Sequence, residues 1–106
     1  MEMVLYKRKS RHCFTGVYAE VSCWKLTITR HEMDDDDYGI GESEFYIFFN
    51  EWHTAKLMKA LQVETPRDLL LALKRKFRSD GISRPDNMIC EFCDENEIKY
   101  RTQIYY

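Results

Sequence analysis

Five consecutive apolar residues, Phe45-Tyr46-Ile47-Phe48-Phe49, stand near the middle of this chain, and two stretches with helical periodicity follow at once. An unbroken apolar run of that length predicts a strand covered on both faces, and hence one interior to a sheet. Asn50 carries an oxygen able to accept from a free amide of a first helical turn, so a helix is expected from about Glu51. Plotted at about 100° per residue, Thr54, Leu57, Met58, Ala60 and Leu61 share one arc, with Trp52, Lys56, Lys59 and Gln62 opposite. The next start signal is Thr65-Pro66-Arg67-Asp68. It sets a capping hydroxyl before a proline at N1 and a carboxylate at N3, a capping box with aspartate in the usual place of glutamate. The second helix should run from Pro66 to about Arg78, with Leu69, Leu70, Leu73 and Phe77 facing inward and Gly81 turning the chain out in a left-handed conformation.

The remainder alternates as strands do. Residues 2–8 predict a short strand and Ser10 to Gly16 a loop. Val17, Ala19 and Val21 are apolar on odd positions, whereas Trp24, Leu26 and Ile28 are apolar on even ones. That phase slip near Ser22-Cys23 predicts a bulge or a strand break. Residues 24–30 are expected to pair with 44–49 across a loop from His31 to Ser43. At the C-terminus, a three-residue loop Asp94-Glu95-Asn96 would set Met88, Cys90 and Phe92 opposite Thr102, Tyr100 and Ile98, and Glu91 opposite Lys99, as a hairpin. The expected class is α+β: a mainly antiparallel sheet of about five strands with two adjacent helices on one face, in the order β-β-β-α-α-β-β.

At 106 residues this pattern describes one domain, 1–106. No apolar run of about 18 residues and no signal-peptide pattern is present, so the expectation is a cytoplasmic protein with no membrane association. Cys13, Cys23, Cys90 and Cys93 are accordingly read as reduced. The net charge of −2 conceals segregation: residues 31–51 hold eight acids and no Lys or Arg, while 52–81 hold seven basic residues against three acids.

Candidate chemistry is sparse. Asp34, Asp36 and Gly39 match positions one, three and six of a calcium loop, but Tyr38 and Phe45 stand where ligands at five and twelve are required. Cys90-Glu91-Phe92-Cys93 has metal-ligand spacing, with His12, Cys13, Cys23 and His31 as partners if the fold assembled them, yet a hairpin would turn Cys90 inward and Cys93 outward. Pro85-Asp86 with Glu97-Ile98-Lys99 resembles the PD-(D/E)xK arrangement of metal-dependent nucleases; the hairpin register would hold the two acids far apart. No nucleophile elbow, HExxH or phosphate loop occurs, so no catalytic residue, cofactor or metal is assigned.

What is left points to partners. The acidic run Asp34, Asp35, Asp36, Asp37 with Glu42 offers one charged surface. Trp52 beside Lys56, and Leu71 among Arg67, Arg75 and Arg78, are apolar anchors ringed by cations on the outer arcs of the helices. The expectation is a small non-enzymatic binding protein with a macromolecular protein partner. Small inhibitors, including phage-encoded ones that block host enzymes, share this compact, aromatic-rich, motif-poor look, which is an analogy of class. The alternatives are a nucleic-acid module using the basic face of the second helix and a small zinc domain or metal-dependent enzyme.

Overall fold

In the computed structural model the chain is an α+β fold, described for residues 1–36, 39–78 and 84–106; the side chains at 35–40 also fall outside the description. Among these residues the order is β1 (Glu2–Lys9), β2 (Cys13–Ser22), β3 (Lys25–Asp36), β4 (Gly39–Phe48), α1 (Glu51–Ala60), α2 (Pro66–Lys76), α3 (Pro85–Glu95) and β5 (Arg101–Tyr105). The five strands lie in sequence order in one antiparallel sheet. Phe48, the last paired residue of β4, is opposite Arg101, the first of β5. The three helices are therefore an insertion into what would otherwise be a β4–β5 hairpin, and no crossover is needed.

Several expectations change. The segment from His31 to Ser43 is not a loop: the β3–β4 ladder continues from Thr27↔Phe48 to Asp36↔Gly39. The apolar run Phe45–Phe49 does lie on an interior strand, but helices cover only one of its faces. The phase slip at Ser22-Cys23 is a strand break. Cys23 and Trp24 both take positive φ, 52° and 62°, the backbone a two-residue I′-type hairpin turn demands, and Ser22 pairs with Lys25 across it. The irregularity in the ladder lies instead in β1, between Val4 and Tyr6.

The largest correction concerns 85–95. These residues form α3, not the first strand of a hairpin, so the order is β-β-β-β-α-α-α-β. Proline at N1 and apolar residues at 85, 88, 89, 92 and 93 are the signature of a helix, and that spacing outweighs the alternation of Met88, Cys90 and Phe92. The Gly81 turn lies outside the described residues.

The helix starts follow their caps. His53 N donates to Asn50 Oδ1 at 2.7 Å, and Asp68 N to Thr65 Oγ1 at 3.1 Å. Two helix ends close on non-glycine residues in the left-handed region: Gln62 (φ 59°), with Val63 N donating to Met58 O, and Glu97 (φ 57°), with Ile98 N donating to Cys93 O. Both are Schellman geometries, and the second buries Ile98. Lys56 Nζ donates to Glu97 O at 2.7 Å, which joins α1 to the link between α3 and β5.

The core forms where the inward face of the sheet meets these helices. Val17, Ala19, Val21, Leu26, Ile28 and Ile47 pack against Leu57, Leu69, Leu70, Leu73, Ile89 and Cys93. Two polar ties secure it. Where β4 ends, Leu26 O accepts from Phe49 N at 2.9 Å, and the Leu26 amide donates to the buried hydroxyl of Thr54 on α1 at 3.0 Å. At the other side, Arg30 on the inward face of β3 donates to Asp86 Oδ2 on α3 at 2.7 Å, and its guanidinium lies 4.8 Å from the Phe45 ring centre. Glu32 completes this group by pairing with Arg84 and Arg30.

Thr54→Val keeps the shape of the side chain but leaves the Leu26 amide buried without an acceptor. It is expected to lower stability by about 1–3 kcal/mol; a urea midpoint equal to wild type would show that this amide finds water instead.

Candidate functional site

Strand alternation and ladder register together sort every sheet residue onto one of two faces. The face away from the helices carries Lys7 and Lys9 from β1, Phe14, Gly16 and Tyr18 from β2, Thr29, His31 and Met33 from β3, Glu42, Glu44, Tyr46 and Phe48 from β4, and Arg101, Gln103 and Tyr105 from β5. No element among the described residues covers it. Its aromatic side chains lie against one another and against cations: Tyr46 stacks on Phe48 with ring centres 5.6 Å apart, Tyr105 meets Tyr46 edge-on at 5.6 Å, and Phe14 meets His31 edge-on at 6.0 Å. Arg101 lies 5.0 Å from the centre of Phe48, and Lys7 5.8 Å from that of Phe14. Gly16 makes room for Tyr18, since a Cβ there would stand 2.8 Å from the tyrosine Cζ.

In the middle of this layer, His31, Glu42 and Glu44 each bring one ligand-type atom within 4.8 Å of the others. The ladder explains the convergence. Leu26 turns both its amide and its carbonyl toward β4 and α1, so by alternation His31↔Glu44 and Met33↔Glu42 are non-hydrogen-bonded pairs of β3–β4, in which side chains approach most closely. His31 Nε2 lies 2.7 Å from Glu42 Oε1. The Tyr46 hydroxyl donates to Glu44 Oε2; this bond to a carboxylate, aided by burial, raises the phenol above its ordinary pKa. Among the described residues no Lys or Arg pairs with either glutamate.

The residues singled out from the sequence are not brought together. Glu42 lies on the uncovered face. Asp34, its neighbour across the ladder from Gly41, points to the helix side and accepts from Cys13 Sγ at 2.9 Å. The Asp35 and Asp36 side chains and Asp37 lie outside the described residues. Trp52 is 76% exposed on α1, Arg67, Arg75 and Arg78 are exposed on or just past α2, and Leu71 is half-buried rather than free. Lys56 is exposed but engaged with Glu97 O. Sequence reasoning missed Glu44 and Tyr46, and weighed His31 only as a metal ligand beside the cysteines. The signal available was register: pairing Asp36 with Gly39 sets His31 opposite Glu44 automatically.

The cysteine expectations reverse. Cys90 and Cys93 lie one turn apart on α3, within the helix rather than at its start, with Cys93 buried and Cys90 half-buried. Burial pushes the Cys93 thiol up to about 12, with Cys90 and Asp94 adding to it, and burial likewise raises Cys90. Among the described residues no cysteine joins a group of three potential metal ligands. Asp86, the acid of the nuclease-like pattern, is 1% exposed and committed to Arg30.

No protein-family model, curated protein or solved structure matches this chain. Among the described residues no helix is long and apolar enough to cross a membrane.

The bond from Cys13 to the Asp34 carboxylate holds that exposed thiol above its ordinary pKa, because the carboxylate favours the protonated sulfur. Replacing the acid should free thiolate. Asp34→Ala is therefore expected to accelerate alkylation of Cys13 near neutral pH without changing Cys23, while Cys93 stays unlabelled until unfolding. Peptide mass spectrometry reads all three rates, and an unchanged Cys13 rate would contradict the assignment.

Proposed function

We propose that this chain is a small non-enzymatic binding protein that engages another protein through the uncovered face of its sheet, with the acidic end of the β3–β4 hairpin steering approach. The observation that carries this reading is the aromatic layer: Phe14, Tyr18, Tyr46, Phe48 and Tyr105 lie on a sheet face that no helix covers, interleaved with Lys7, His31 and Arg101. Aromatics and arginine are the residue types that dominate binding energy at protein interfaces, and a face built on strands presents them already ordered. A core-facing layer would have excluded the charges; a merely solvated one would not carry so many rings.

Charge favours a protein over a nucleic acid. Glu42 and Glu44 lie inside the layer, where they repel a phosphate backbone, and the exposed cations Arg67, Arg75 and Arg78 belong to the helix side of the molecule, away from the rings. Occluding the surface of an enzyme is a use that this arrangement suits, since occlusion requires no catalytic group.

The test is capture from the source cell on immobilised protein, followed by affinity measurements on the partner obtained. Tyr18→Ala and Tyr105→Ala are each expected to weaken binding about thirtyfold, the scale of an interface hot spot. Asp34→Asn with Glu42→Gln should chiefly slow association, and Arg75→Glu with Arg78→Glu should leave affinity unchanged. Binding lost only in the arginine variants, with a salt-dependent affinity for oligonucleotides, would overturn the reading in favour of nucleic acid.

A further inference from the structure

His31, Glu42 and Glu44 have a composition that a protein-interface argument does not need. An imidazole nitrogen and two carboxylates from adjacent strands converge within 4.8 Å, on the uncovered face and open to solvent. We propose that these three side chains bind one divalent transition-metal cation of the zinc class, with Tyr46 as a positioning residue.

Four observations converge on this reading. First, two glutamates two residues apart on one strand face place like charges side by side, and among the described residues only His31 pairs with either of them. A divalent cation removes that repulsion outright. Second, the donor set is mixed. An imidazole with two carboxylates suits zinc and its first-row neighbours, whereas calcium and magnesium sites are built from oxygen alone. Third, the support around the ligands is already in place. The Tyr46 hydroxyl donates to Glu44 Oε2, which leaves the other carboxylate oxygen outside that bond, and the Tyr46 ring itself packs against Phe48 and Tyr105. Such outer partners orient ligands in known metal sites. Fourth, the scaffold is rigid: the ligands stand on paired strands, His31 opposite Glu44, so little ordering is required when the cation enters. Three protein ligands on an open face leave at least one position for water or for a donor from a bound molecule.

This inference stands apart from the proposed protein partner. A cation can bind whether or not the aromatic layer docks anything, and the test needs no partner.

Protein stripped with chelator and kept reduced is titrated with Zn2+ by calorimetry, and with Co2+ by visible absorption. The expected result is one cation per chain, saturating well below about 1 mM, without the intense thiolate-to-cobalt band that a cysteine site would give. His31→Ala and Glu44→Gln should abolish binding, and Tyr46→Phe, which keeps the ring and removes only the hydroxyl, should weaken it about tenfold. Cys13→Ser, Cys23→Ser and a tenfold excess of Ca2+ or Mg2+ should leave it unchanged. All the ligand side chains are exposed or half-exposed, and circular dichroism of each variant confirms that the fold persists. No saturation up to about 1 mM, binding that survives both His31→Ala and Glu44→Gln, or binding abolished by Cys13→Ser would each overturn the assignment.

Discussion

The register of the β3–β4 ladder is the constraint on which the rest of this molecule depends. With Thr27 opposite Phe48, Ile28, Arg30 and Glu32 point toward the helices, while Thr29, His31 and Met33 point away. A slip of one residue would turn one of the two strands over, either placing His31 in the core and expelling Ile28, or placing Glu42 and Glu44 there and expelling Ile47. The cost of that exchange is large. Ile28 and Ile47 are fully buried, at about 25 cal/mol per Å2 of apolar surface removed from water, and turning β4 over would strand two carboxylates among apolar side chains. Burial on one side therefore fixes the chemistry displayed on the other.

The inward face also explains why the helices sit where they do. Arg30 projects from the sheet into the layer below α3, where Asp86 meets it and Phe45 lies beneath its guanidinium. Asp86 Oδ1 has no hydrogen-bond partner among the described residues, where the carboxylate's partner is the arginine. Buried pairs of this kind are worth little against an apolar substitute but costly to break from one side, and their value lies in specifying one arrangement. Arg30 and Asp86 select the docking of α3; Thr54 does the same for α1 by satisfying the Leu26 amide.

The sequence displayed the parts whose signals are local. Asn50 and Thr65 cap the helices they were expected to cap, because a capping oxygen needs only the next three residues. Leu69, Leu70 and Leu73 face inward as their spacing requires. The α+β class and the antiparallel sheet followed from the same periodicities, although one of the five strands expected is helix α3. The misreadings came where two periods compete or where the partner is distant. In 85–95, Met88, Cys90 and Phe92 alternate as a strand does, but Met88, Ile89, Phe92 and Cys93 also satisfy a helical stripe, and the helix wins because Pro85 starts it and the core receives Ile89 and Cys93. The acidic run reads as a loop when charge is weighed above pairing. Strand pairing is indifferent to exposed charge, so β3 and β4 continue to Asp36 and Gly39. A loop reading of this segment conceals the candidate site, because a loop has no register to set His31 opposite Glu44.

What emerges is a sheet with a division of labour between its faces, a core with two polar ties below and an ordered layer of rings around a histidine and two glutamates above. Both functional readings require that β3 and β4 stay paired beyond Arg30. Nuclear Overhauser contacts between Hα protons report this directly, because non-hydrogen-bonded antiparallel pairs bring those protons closest. The account predicts strong contacts for Thr29–Tyr46, His31–Glu44 and Met33–Glu42. Contacts that stop at Thr29, or that link His31 to Phe45 instead, would contradict it.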